Sequence, residues 1–74
     1  MRAETRPDGT PARLYRHGKP QYVAEVIDSW RSCDRWWEGA LGRTYHRVEL
    51  KDRTHLVIYR EDVTEQWFEA LVVD

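Results

Sequence analysis

Seventy-four residues leave room for one domain, and 12 Lys and Arg against 13 Asp and Glu give a net charge of −1, without the basic excess by which duplex-binding domains are known. The single cysteine, Cys33, excludes an internal disulfide, which for so short a chain fits a reducing cytoplasm better than secretion. No apolar run is long enough to cross a bilayer as a helix, and no signal-peptide stretch is seen, so a cytoplasmic protein away from membranes is expected.

In chain order, residues 1–11 hold Pro7, Gly9 and Pro11 among charges and read as a flexible leader. Residues 12–74 then read as one small β domain, because segments rich in Val, Ile, Tyr and Trp alternate with turn residues. The first strand is expected at Ala12 to His17 and turns at Gly18-Lys19-Pro20. Gly18 takes the positive φ there, and Pro20 has to stay outside a central ladder.

The second strand is expected from Gln21 to Trp30. Its apolar residues Tyr22, Val23, Val26 and Ile27 break strict alternation, which predicts either burial on both faces or a bulge near Glu25. An amphipathic helix over Ala24 to Trp37 is the competing reading, disfavoured by the β-branched and Ser-rich composition. Asp34 to Gly39 reads as a short helical turn, with Asp34 as N-cap and Gly39 as stop, laying Trp36 or Trp37 over an open end of the sheet.

Arg43 to Lys51 alternates Thr44, His46, Val48 and Leu50 against Tyr45, Arg47, Glu49 and Lys51, the pattern of a strand with one wet face. Asp52-Arg53 turns the chain without glycine. His55 to Arg60 and Gln66 to Val73 complete five strands. The last is apolar on both faces, with Trp67, Leu71 and Val73 on one and Phe68, Ala70 and Val72 on the other, so something has to cover the second. The fold class is therefore all-β: a five-stranded antiparallel meander curled into a small SH3-like half or full barrel with one short helical turn. Its expected core is Leu14, Val23, Val26, Ile27, Trp30, Val48, Leu50, Leu56, Ile58, Trp67 and Leu71.

The residues give no sign of catalysis. His17, His46 and His55 are far apart without metal-ligand spacing, Cys33 beside Trp residues reads as a small hydrophobe, and the isolated glycines make no phosphate cradle. No metal or cofactor is expected. A small core must first consume the large rings, and any left exposed are the natural binding residues, since Arg and aromatic anchors dominate interfaces. On that logic Arg35, Trp37, Arg43 and Tyr45 are the candidate contacts for a protein partner. The edge strands offer a route to a homodimer or to strand addition. Tyr15, Trp36, Trp37 and Tyr45, interleaved with arginines, also suit a single-stranded nucleic acid, a reading disfavoured by equally dense acidic residues.

The run Asp8-Gly9-Thr10-Pro11, with Gly18, Val23, Glu25-Val26-Ile27-Asp28-Ser29-Trp30-Arg31, Trp36-Trp37, Arg43-Thr44-Tyr45-His46-Arg47-Val48-Glu49-Leu50, Tyr59-Arg60-Glu61-Asp62 and Trp67-Phe68, resembles a small bacterial domain of unknown function. A similar domain closes the C-terminus of the inactive Y-family polymerase relatives of the DNA-damage mutasome (the ImuB type), and it also occurs as a short stand-alone protein. The resemblance covers residues 8 to 74. It implies a role in translesion synthesis through contacts to other proteins of that assembly, and no catalytic residue. Members of the family tend to carry glycine where this chain has Asp52-Arg53 and Thr64-Glu65.

Overall fold

The computed structural model describes residues 1–33 and 42–73. Its six strands follow one another as an antiparallel meander, β1 (Arg2–Thr5), β2 (Pro11–Arg16), β3 (Lys19–Cys33), β4 (Gly42–Leu50), β5 (His55–Glu61) and β6 (Trp67–Val73), in the spatial order β1-β2-β3-β4-β5-β6. The all-β expectation holds, with the sheet curled into a half-barrel and no helix among the described residues. None of them therefore forms a helix long and apolar enough to cross a membrane. The expected helical turn at Asp34 to Gly39, with Trp36 and Trp37, lies outside the described residues.

The sixth strand is β1, inside the segment expected as a flexible leader. Arg6-Pro7-Asp8-Gly9 is a tight turn in which the Gly9 N–H donates to the Arg6 carbonyl (2.9 Å) and the Thr10 N–H to Asp8 Oδ1 (2.9 Å). Pro7 pre-sets the first turn position, and Gly9 adopts φ +89°, which only glycine takes without strain. The hairpin so formed pairs Ala3 with Leu14 and packs Ala3 against the core.

Between β2 and β3 the turn is His17-Gly18, at φ 52° and 76°, one residue earlier than expected. This is the two-residue geometry that matches strand twist. Arg16 and Lys19 close it, so Tyr15 and Pro20 form the next, non-hydrogen-bonded pair. The Pro20 nitrogen then faces an edge that β4, which pairs only from Val23 onward, leaves open.

β3 is fifteen residues long and serves both halves of the half-barrel, pairing with β2 through its start and with β4 through the rest. Two bulges, at Ala24 and Ile27, let it bend. They also decide which side chains are buried. Val26 faces the core, and simple alternation would carry Asp28 and Trp30 in after it. The extra residue at Ile27 shifts the phase, so Ser29 points inward opposite His46 while Trp30 points outward opposite Tyr45. A third bulge, at Ala70, does the same in β6: Trp67 is buried, yet Leu71 faces outward beside Val57 and Val72 falls opposite Leu56.

The core is Leu14, Val23, Val48, Leu50, Leu56, Ile58 and Trp67, with Ala3 and Val26 packed against it. All seven were expected. Ile27, Trp30 and Leu71 are corrections, at 45 %, 42 % and 57 % exposure, and each stands at or just beyond a bulge. Across the open side of the half-barrel the Arg16 guanidinium grips the Glu69 carboxylate with two bonds of 3.0 Å, Nε to Oε2 and Nη2 to Oε1, while Nη1 donates to Gln21 (3.1 Å). This fork ties β2 to β6, which are not neighbours in the sheet.

Arg53 and Glu65 sit at φ 71° and 60°, in the left-handed region that costs an ordinary L-residue roughly 1–2 kcal/mol. They occupy the two turns where the resemblance leads one to expect glycine. Arg53→Gly and Glu65→Gly should each stabilise the protein by about 0.5–1 kcal/mol after glycine's own entropy is charged. Urea unfolding midpoints that fall on either substitution would contradict the turn geometry.

Candidate functional site

The phase shifts in β3 and β6 assemble a row of rings on the outer face of the sheet. Trp30, Tyr45, Tyr59 and Phe68 are register partners on four successive strands, β3 to β6. Trp30 lies nearly parallel to Tyr45 (centroids 5.4 Å, interplanar angle 4°), Tyr45 is 5.2 Å from Tyr59, and Tyr59 stacks on Phe68 at 5.2 Å. These separations follow the spacing between strands, because side chains stand roughly perpendicular to a sheet and cross-strand partners touch. Arg43, two residues before Tyr45 on the same face, lays its guanidinium over Tyr59 at 4.8 Å. The adjoining row is Asp28, Arg47, Val57 and Leu71, which adds an anion, a cation and two apolar side chains.

A second outer patch covers β1, β2 and the start of β3. Arg2 and Arg13 lie over Tyr15 at 5.1 and 5.2 Å, and Arg13 and Lys51 over Tyr22, each at 5.7 Å. Glu4 pairs with Arg13 and accepts from the Tyr15 hydroxyl. The Arg13 hydrogen bond holds the Glu4 carboxyl below its ordinary range.

Of the four residues singled out from the sequence, Arg43 and Tyr45 come together on this face, although the arginine stacks on Tyr59 rather than on Tyr45. Arg35 and Trp37 lie outside the described residues. Trp30, Tyr59 and Phe68 were missed. Trp30 had been assigned to the core, while Tyr59 and Phe68 carry no local signal: only the pairing register reveals that they line up with Tyr45.

On the inner face, Ser29 Oγ and His46 Nδ1 share a hydrogen bond of 2.7 Å. His46 is buried, and its ring tilts against Trp67 at 5.7 Å. A serine beside an imidazole is half of a nucleophilic pair. Here, however, no described carboxylate hydrogen-bonds the other ring nitrogen, so the contact satisfies a buried polar ring. Among the described residues, no three His, Cys, Asp or Glu side chains are grouped to hold a metal ion.

Burial pushes the His46 imidazole below its ordinary value of 6.5, with the Asp8 charge opposing it weakly. Between those two values the unfolded chain binds the proton more readily than the folded one. The stability His46 allows is therefore complete above pH 6.5 and declines as the pH falls below it, towards the lower folded value. Asp8 and Asp52, held down by hydrogen bonds from Thr10 and Thr54, act only below their ordinary 3.8. Thermal melts should thus drop between pH 7 and about pH 5, and His46→Gln should flatten that slope; an unaltered slope in the variant would show that another group causes it.

No protein-family model, no curated protein and no solved structure matches the chain.

Proposed function

We propose that the protein is a non-catalytic interaction module whose outer aromatic face, Trp30, Tyr45, Tyr59 and Phe68 with Arg43 and Arg47, docks another protein. The observation that carries this reading is the cross-strand row itself. Four large rings and a guanidinium are kept out of the core of a domain that has few large side chains to spare, in the residue types that anchor protein interfaces.

The same geometry argues against a platform for nucleic-acid bases. Stacking a base requires an open ring face. Tyr45 is flanked by Trp30 and Tyr59, and Tyr59 by Phe68 and Arg43, so the two middle rings present edges rather than faces and successive bases find no continuous platform, although Phe68 at the end of the row is covered by Tyr59 on one side only. The resemblance to the domain of the inactive Y-family polymerase relatives supports a partner within a bacterial translesion-synthesis assembly.

A photo-crosslinking amino acid placed at Tyr45 should, in DNA-damaged bacteria, capture a discrete protein of that assembly, whereas the same group at Arg53 in the β4–β5 turn should not. Identical products from both positions would refute the docking face. Capture of a discrete protein from outside DNA repair would refute the translesion assignment alone.

A further inference from the structure

The ring row ends at Phe68 on the edge strand β6, and there the surface opens into a groove of about 360 Å³ lined by Met1, Tyr15, Arg16, His17, Tyr59, Phe68 and Glu69. We infer that this groove is the anchor pocket of the docking face and takes one aromatic side chain of an acidic, extended partner segment, laid against Phe68 as a fifth member of the row. The inference rests on the protein-docking reading above and adds to it the chemistry of the partner.

Three observations fix that chemistry. The volume lies at the low end of ligand pockets and suits a single large side chain rather than a cofactor. The apolar part of the wall is aromatic and thioether, beside the polar Arg16, His17 and Glu69, and Phe68 is covered by Tyr59 on one side, so another ring continues a stacking pattern that the sheet already repeats across its strands.

Inside the groove Arg16 is neutralised by its two-bond contact with Glu69, and at the rim Arg13 is paired with Glu4. Arg2 over Tyr15 and Arg43 over Tyr59 are both exposed and make no direct ion pair among the described residues, although Glu61 is the cross-strand partner of Arg43 and Glu4 feels the Arg2 charge. Two exposed cations thus stand on rings that line the groove. They repel a cationic ligand, including a methylated ammonium of the kind that aromatic cages bind, and they attract carboxylates flanking the incoming aromatic residue.

The test is a titration of isotope-labelled protein, followed by amide NMR at low ionic strength, with three capped peptides: acetyl-Asp-Trp-Asp-amide, acetyl-Asp-Ala-Asp-amide and acetyl-Lys-Trp-Lys-amide. The first should shift the amides of Tyr15, Phe68 and Glu69 saturably, and each of the others should bind roughly tenfold more weakly. Phe68→Ala should abolish the preference for Trp over Ala. An Arg2→Gln, Arg43→Gln double variant, confined to exposed side chains, should abolish the preference for Asp over Lys even if Phe68→Ala fails to fold.

Equal binding of the three peptides, shifts centred away from the groove, or preferences untouched by the folded variants would overturn the inference. Should the groove fail while crosslinks from position 45 persist, only the anchor pocket is lost. Should the peptides behave as expected while position 45 captures nothing, the pocket stands and the wider docking face is lost.

Discussion

Trp67→Ala should leave the protein unfolded at room temperature, while Trp30→Ala should leave it folded. Trp67 is 6 % exposed and packs with His46 and the aliphatic core, whereas Trp30 is 42 % exposed on the opposite face. Truncating a buried tryptophan costs about 3–5 kcal/mol, through lost transfer energy and the cavity left behind. That is comparable to the ~3–5 kcal/mol that the core of so small a domain supplies without a disulfide or metal. The exposed indole loses mainly its contact with Tyr45, worth ~0.5–1.5 kcal/mol. Circular dichroism melts of the two variants decide it. A Trp30→Ala protein that unfolds while Trp67→Ala melts like the parent would reverse the inside and outside of the sheet.

The second large effect is expected at the fork between Arg16 and Glu69. The Arg16 side chain is only 11 % exposed and that of Glu69 31 %, so the pair is shielded from solvent far better than an ordinary surface bridge. Arg16→Ala or Glu69→Ala should each cost ~1.5–3 kcal/mol, because either one strands a partly buried charge without its bidentate partner. The melting temperature should fall by about 6–24 °C on the scale of ~4–8 °C per kcal/mol for a domain of this size. The double variant should lose less than the sum of the two. The pair between Arg60 and Glu65 is the control. Glu65 is 73 % exposed there, and Glu65→Gln should shift stability by less than about 1 kcal/mol. If both pairs contribute equally, the fork is not what holds β2 against β6.

These two predictions mark how far the sequence could be read. The alternation along β4 put His46, Val48 and Leu50 inside and Tyr45 and Arg47 outside, and the structure keeps that division because β4 has no bulge in its pairing with β5. Around β3 the irregular spacing of Tyr22, Val23, Val26 and Ile27 indicated either burial on both faces or a bulge near Glu25, and the bulge is found at Ala24. A second one at Ile27 could not be inferred, and a shift of one residue moves every later side chain to the other face. Trp30 was misplaced for that reason, and Leu71 by the bulge at Ala70.

The missed strand is a different case, since its signal was present. Pro7-Asp8-Gly9 combines a residue that pre-sets φ, a side chain that accepts from the backbone two residues on, and a glycine for the left-handed position. Asp52-Arg53-Thr54 repeats the same side-chain bond, Asp52 Oδ1 accepting from the Thr54 N–H at 2.9 Å. Residues 2–5 are mostly polar because the outer side of β1 is wet, and Ala3 alone reaches the core. A strand with so little apolar content looks like a linker until its turn is recognised. The candidate site was half legible for a related reason. Arg43 and Tyr45 lie on one strand and share a face by period two, whereas Trp30, Tyr59 and Phe68 join them only through registers that three separate hairpins set.

Everything proposed for the outer face requires that the sheet sort its indoles, Trp67 within and Trp30 without. The most direct measurement is the broadening of the indole N–H signals by a soluble, uncharged paramagnetic chelate. The Trp30 signal should be strongly relaxed and that of Trp67 protected, with each assigned by its Trp→Phe variant. Protection of Trp30 together with exposure of Trp67 would contradict the account and remove the aromatic face with it.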